Sequence, residues 1–233
     1  MNTDLLKQLT QAVKNANHCE VQRLAALVDA KDASLALESA AENGHVECVQ
    51  VLLSVANPLD RESHALWEAI ANNHVACVQL LAPVSKIAIN HMFAAVDGNN
   101  VEVITSLIEH IPPANSYTFV GQSLVRAARF EKTQALEYLV EVGDPQYKNS
   151  QALLWAVMMN HQKCVDILYP LSDVEEVLAK LEQGVNDNGP GYNSVETPYK
   201  KFKERFETEQ LRNVLNASIS QTHPTSSGRT PKL

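Results

Sequence analysis

Apolar residues recur along this chain in a frame that returns at nearly regular intervals. ESAAENGHVECVQVLL (residues 38–53) and WEAIANNHVACVQLLA (67–82) superpose without a gap, and the same frame continues on both sides. An alanine stands at Ala12, Ala40, Ala69, Ala95, Ala127 and Ala156, at successive spacings of 28, 29, 26, 32 and 29 residues. Three residues before it comes Leu9, Leu37, Leu66, Met92, Leu124 or Leu153. Nine after it comes Val21, Val49, Val78, Ile104, Leu136 or Val165, and twelve after it Leu24, Leu52, Leu81, Leu107, Leu139 or Leu168. Four apolar columns held over six copies mark an internal repeat. Within each copy two apolar runs flank a polar break such as ENGH, ANNH, DGNN, RFEKT or MMNH, which predicts a helix, a tight turn and a second helix. A single hairpin cannot bury its apolar face alone, so its stability has to come from the next copy. The expected fold is all-α: a helical-hairpin solenoid of about six repeats, within an array spanning residues 5–183, with a C-terminal capping helix and tail.

The repeat resembles a known family. Leu37, Ala40, Ala41, Gly44, His45, Glu47, Val49, Leu52 and Leu53 follow the pattern L-x-x-A-A-x-x-G-H-x-E-x-V-x-x-L-L, which is similar to the ankyrin repeat, and the likeness covers about residues 5 to 170. Asn73-His74, Asn99-Asn100 and Asn160-His161 are weaker versions of Gly44-His45, and glycine or asparagine suits a turn with positive φ. The chain departs from the family in lacking the Thr-Pro start of the first helix, where it has Leu35-Ala36, His64-Ala65, Gln122-Ser123 and Gln151-Ala152. Most spacings also fall short of the usual ~33 residues. Truncated or irregular fingers are therefore expected at SVANPLDRES, APVSKIAIN and EVGDPQYKNS. Degenerate arrays of this kind resemble those of effectors secreted by intracellular bacteria and of proteins of some large viruses. The resemblance implies a protein–protein interaction module, an adaptor, inhibitor or targeting protein, with a host-directed role among the readings.

Beyond the array, Ser172 followed by Glu175 reads as a capping signature for a terminal helix carrying Val177, Leu178 and Leu181, with Glu175, Glu176, Lys180 and Glu182 on its other face. GVNDNGPGYNS, residues 184–194, reads as a turn-rich linker. Over 195–220, Tyr199, Phe202, Phe206 and Leu211 lie near helical spacing with Lys200, Lys201, Lys203 and Arg205 interleaved, the pattern of an amphipathic helix. It either packs back on the array or forms a separate helix that recruits an activity, a partner or, by weak contact of 198–216, a membrane surface. The last residues, 221–233, are rich in Ser, Thr and Pro and are expected to be disordered.

Composition narrows the class further. In 233 residues, 45% are hydrophobic but only 6% aromatic, which suits helices packed through Ala, Val and Leu better than sheets. A formal charge of −8 argues against nucleic acid as a partner, since that affinity comes from clustered Lys and Arg. No stretch reaches the roughly 18 uninterrupted apolar residues of a membrane span, and the beginning lacks a signal-peptide apolar block. A cytoplasmic protein is expected, or one acting in a host cytosol if it is a bacterial effector.

No chemistry-bearing motif stands out. Cys48, Cys77 and Cys164 share one repeat position and read as packing residues, and with Cys19 they form no CxxC pair that would signal zinc or a disulfide framework. His45, His74 and His161 also share a position, one that in the family joins turns by hydrogen bonds. Phosphate-loop, dinucleotide, zinc-protease and serine-nucleophile signatures are absent, so no enzyme, metal or cofactor is expected. In ankyrin arrays the partner-facing groove resembles a surface lined by the first helices, which here points to Glu42, Asn43, Glu68, Asn72, Arg126, Arg129, Phe130, Trp155, Met158 and Met159. The first half of that groove is acidic and small. The second gathers arginine, aromatic and methionine side chains, the types that dominate interface energies or adapt to varied surfaces. Trp67 and Phe93 read as fillers of gaps between hairpins, and for Trp155 both readings stand.

Overall fold

The computed structural model describes residues 3–188 and 193–222, which form fourteen α-helices and no strand. The first six hairpins pair α1 (Thr3–Lys14) with α2 (His18–Ala25), α3 (Ala30–Glu42) with α4 (Val46–Leu52), and α5 (His64–Ala71) with α6 (Val75–Leu81). They continue with α7 (Ile89–Asp97) and α8 (Val101–Ile108), α9 (Pro113–Arg129) and α10 (Thr133–Val142), and α11 (Tyr147–Met158) and α12 (Gln162–Leu168). First helices pack in one row, α1 on α3 through to α9 on α11, and second helices in another, α2 on α4 through to α10 on α12. The result is a two-layered helical solenoid. Every residue in the four apolar columns is buried, and together they form one continuous core. Each leucine there contributes about 1.5–3 kcal/mol by leaving water, but only when its neighbour is in place.

One backbone device ends every first helix. The residue four after the repeat alanine has positive φ in all six copies: Ala16 (52°), Gly44 (72°), Asn73 (61°), Asn99 (53°), Glu131 (55°) and Asn160 (58°). At Asn17, His45, His74, Lys132 and His161 the next N–H then donates to the carbonyl of the repeat alanine, at 2.8 to 3.0 Å. This left-handed cap pairs a carbonyl that the helix leaves open. Side chains then tie turn to turn: the His74 ring bonds the Glu42 carbonyl and the His161 ring the Ala128 carbonyl, both at 3.0 Å, while Asn99 Oδ1 accepts from the Ala135 N–H at 3.0 Å.

The connections where fingers would stand are short and non-strand. Two use three consecutive left-handed residues, Arg61–Glu62–Ser63 and Lys148–Asn149–Ser150. Buried serines pin the following segments across a shared distance of 23 residues: Ser34, Ser63 and Ser150 accept the N–H groups of Asn57, Lys86 and Asp173 at 2.8 to 3.0 Å.

At the C-terminal end α13 (Val174–Asn188) packs on α11, and α14 (Asn193–Thr222) packs on both α11 and α13. The stack thus closes with a seventh, irregular hairpin. Asp173, not Ser172, caps α13, since its carboxylate accepts the Glu176 N–H at 3.0 Å. Ser172 Oγ is buried and unbonded among the described residues, because the backbone there is still extended after the turn Tyr169–Leu171. The linker reading of 184–194 also needs correction at both edges: 184–188 continue α13 and 193–194 already belong to α14. Glycine and asparagine cost a helix about 1 kcal/mol or less each, too little to stop one on their own. Residues 189–192 lie outside the described part, as does the expected tail apart from Gln221 and Thr222, which end α14.

The first half of α14 lies against the array. Phe202 is buried, with its ring edge-on to Tyr169 at 5.6 Å between centroids. Arg205 pairs with Asp166 at 2.6 Å and lies 4.1 Å from the centre of the Tyr169 ring. Tyr199 and Lys203 both reach Glu182 of α13, at 2.9 and 2.8 Å, so the charged face of α13 is partly covered rather than turned wholly to water. Leu211 and Leu215, in the second half, stay exposed.

Candidate functional site

The exposed face of the first-helix row is where side chains of different copies meet. Its N-terminal half is acidic, but several groups there are already engaged. Glu38 is buried and pairs with Arg61 at 2.6 Å; burial pushes its carboxyl above the usual range while Arg61 pulls it back. Glu68 lies 3.1 Å from His64. Asn43 and Asn72 donate to the carbonyls of Ser39 and Glu68, at 2.7 and 2.9 Å, so both side chains serve the ends of their own helices. Glu42 is exposed.

The C-terminal half contains a cleft of about 220 Å³. Phe93 of α7 stands on one side, and Tyr147, Gln151 and Trp155 of α11 on the other; α9 contributes Gln122, Val125, Arg126 and Arg129, with Phe130 at its end. Its position follows from local sequence. The longest repeat spacing, 32 residues, precedes Ala127, and Pro113 in the first turn starts a helix of 17 residues, the longest first helix of the array. The added turns carry Tyr117, whose ring meets Tyr147 at 5.4 Å and whose hydroxyl donates to Asp144 at 3.2 Å. Tyr147 in turn fills the space left by Gly121, where an added Cβ would come within 2.4 Å of the ring.

Within the cleft, rings and guanidinium groups alternate. The Arg126 carbon Cζ lies 4.7 Å from the Phe93 ring centre and 5.0 Å from that of Phe130. Arg129 lies 5.4 Å from Phe130 and 4.4 Å from Trp155. Each such contact is worth about 0.5–1 kcal/mol at an exposed site, and together they hold long side chains in fixed directions before any partner arrives. Arg126 also donates to both carboxylate oxygens of Asp97, at 2.7 and 2.6 Å, which holds its guanidinium above the ordinary arginine range.

The structure thus brings Arg126, Arg129, Phe130 and Trp155 together and leaves the other sequence-derived candidates outside this cleft. Met158 packs against the core and Met159 is exposed at the end of α11. Phe93 is corrected from gap filler to part of the ladder, and Trp67, 36% exposed, lines a neighbouring open cleft with Phe93, Asp97 and Arg126. Tyr147, Gln122 and Gln151 had not been singled out. The signal for Tyr147 was the pairing of Gly121 with a ring 26 residues later, which no single-copy pattern displays.

The buried thiols suit a packing role. Cys48, Cys77 and Cys164 are enclosed, and burial pushes the last two up to about 11, leaving them protonated and weakly reactive. Among the described residues no group of three or more His, Cys, Asp and Glu side chains is placed to hold a metal ion. No described helix is long and apolar enough to cross a membrane.

A search of curated proteins finds no match. The family model for ankyrin repeats (three copies) matches residues 9–92, which cover α2 to α6 with parts of α1 and α7. The stacked hairpins, with the same turn and the same buried columns, run on past that match to α12. Residues 9–92 thus carry ankyrin repeats, a fold whose general role is protein–protein interaction.

Proposed function

We propose that this chain is an adaptor, inhibitor or targeting protein that captures a protein partner through the cleft between α7, α9 and α11. The observation that supports this reading is the ladder Phe93, Arg126, Phe130, Arg129 and Trp155: half-buried and exposed aromatic and arginine side chains, held in place by one another, on the face where three repeats meet. Such residues carry most of the energy of measured interfaces, and a prearranged surface loses less side-chain entropy on binding. No cofactor enters this function. A cytosolic setting is part of the proposal, whether in the cell that makes the protein or, as the resemblance to bacterial effectors implies, in a host. The test is affinity capture from lysate with the intact chain beside an Arg129→Ala, Trp155→Ala double variant of equal helicity by circular dichroism. A partner lost by the variant supports the cleft; one held equally by both moves the site elsewhere.

A second reading assigns the effect to the C-terminal segment, with the array as scaffold. It is favoured by the exposure of Leu211 and Leu215 on the second half of α14. Truncation after Glu207 then removes the effect while capture through the cleft persists.

A further inference from the structure

The charges around the cleft narrow what it accepts, and this step rests on the cleft being the binding site. Four arginines lie in the first six hairpins, α1 to α12. Arg23, Arg61 and Arg126 each pair with a carboxylate, of Glu20, Glu38 and Asp97. Arg129 has no carboxylate within 4.0 Å among the described residues, although the chain carries 27 acidic residues. The cleft lining contains no Asp or Glu, and Asp97 at its edge is matched to Arg126, so one positive charge remains without a counterion. Lys148 lies 5.5 Å from the centre of the ring of Tyr147, one of the lining residues.

The geometry of Arg129 specifies the ligand group. With its Cζ 4.4 Å from the Trp155 ring centre and 5.4 Å from that of Phe130, the Arg129 guanidinium has no hydrogen-bond partner among the described residues, and its N–H donors form a fork that matches a carboxylate. The cavity beside it, about 220 Å³, is smaller than the ~300–1,000 Å³ typical of small-molecule sites and has room for a single large side chain. Gln122 and Gln151 in the lining offer amide groups to a peptide backbone. Toward α3 and α5 the same face turns acidic, with Glu42 and Glu68, which sets the direction: the negative end of the ligand belongs over α9 and α11.

We infer that the cleft recognises an acidic peptide segment of the partner, an Asp or Glu on Arg129 with an adjacent aromatic or large aliphatic side chain in the cavity. Selection of a random dodecapeptide phage library on the full chain tests this, with repeats on Arg129→Gln, Arg129→Glu and Trp155→Ala; Arg129 is exposed, so its variants retain the fold. The expected result is enrichment of acidic residues next to a large apolar one, binding of a synthetic enriched peptide about tenfold or more weaker to Arg129→Gln, and a switch to Lys or Arg at the acidic position for Arg129→Glu. Enriched peptides that depend on Trp155 but show no acidic preference overturn this inference and leave the cleft as the site. Peptides that bind Trp155→Ala as well as the intact chain overturn the cleft itself, and a selection without binders counts against both.

Discussion

Six residues at one repeat position adopt positive φ, yet only Gly44 and the asparagines 73, 99 and 160 are suited to it. Ala16 and Glu131 hold the same conformation against the contact of their Cβ with the backbone, which costs on the order of 1 kcal/mol. Glu131→Gly is therefore expected to raise unfolding free energy by about 1 kcal/mol, read as a higher urea midpoint with unchanged slope. These two were illegible in the sequence because neither is a turn former; only the register of the neighbouring copies places them. The cysteines give a second check at this scale. At pH 8 a maleimide should label Cys19, which is exposed, and reach Cys48, Cys77 and Cys164 only after denaturation, because all three are buried and their thiols are shifted upward. Labelling of more than one thiol in the folded chain would contradict the packing assignment.

Among the elements, α7 has an unusual start. The Ala88 N–H donates to Nδ1 of the buried His91 at 3.0 Å, so the ring takes the part that Glu or Gln plays in a capping box and must keep that nitrogen unprotonated. Burial, with a smaller contribution from His64, holds its pKa below the usual value. The unfolded chain then binds the proton more readily, so stability falls as pH drops through about 6.5, the unfolded value. Between pH 7 and about pH 5.5, His91→Gln, which can accept the same bond without titrating, should lose less stability than the parent chain in urea melts. Equal losses would show that His91 does not control this window. Glu38, shifted upward, opposes the trend only at lower pH, where it takes up its proton.

For the whole molecule, nearest-neighbour coupling governs both stability and site. Each hairpin is stable only against the next, so the C-terminal end depends on what covers it. Phe202 is the buried anchor of α14, set against Tyr169. Phe202→Ala is expected to cost about 3 kcal/mol locally and to release α14. Hydrogen exchange should then lose protection in α14 and α12 while α1 to α8 remain unchanged; uniform loss along the chain would mean that the array unfolds as one unit. The cleft is likewise a property of three copies: Phe93, Arg126 with Arg129, and Trp155 come from α7, α9 and α11.

The repeat and its buried columns were legible in the sequence, because each copy answers to the same local rule: apolar residues at helical spacing around a polar turn. The arginine-rich half of the first-helix face was legible for the same reason, since repeat register assigns residues to faces. Tertiary structure alone decided the rest. That Asn43 and Asn72 cap their own helices, that Arg126 is matched by Asp97 while Arg129 is not, and that Tyr147 occupies the space above Gly121 all depend on distances between residues in different or adjacent turns. That α14 returns to the stack depends on Phe202 finding Tyr169, 33 residues earlier in the chain. Periodicity specifies which way a side chain faces within its own helix; the length and tilt of the neighbouring helices determine what it meets there.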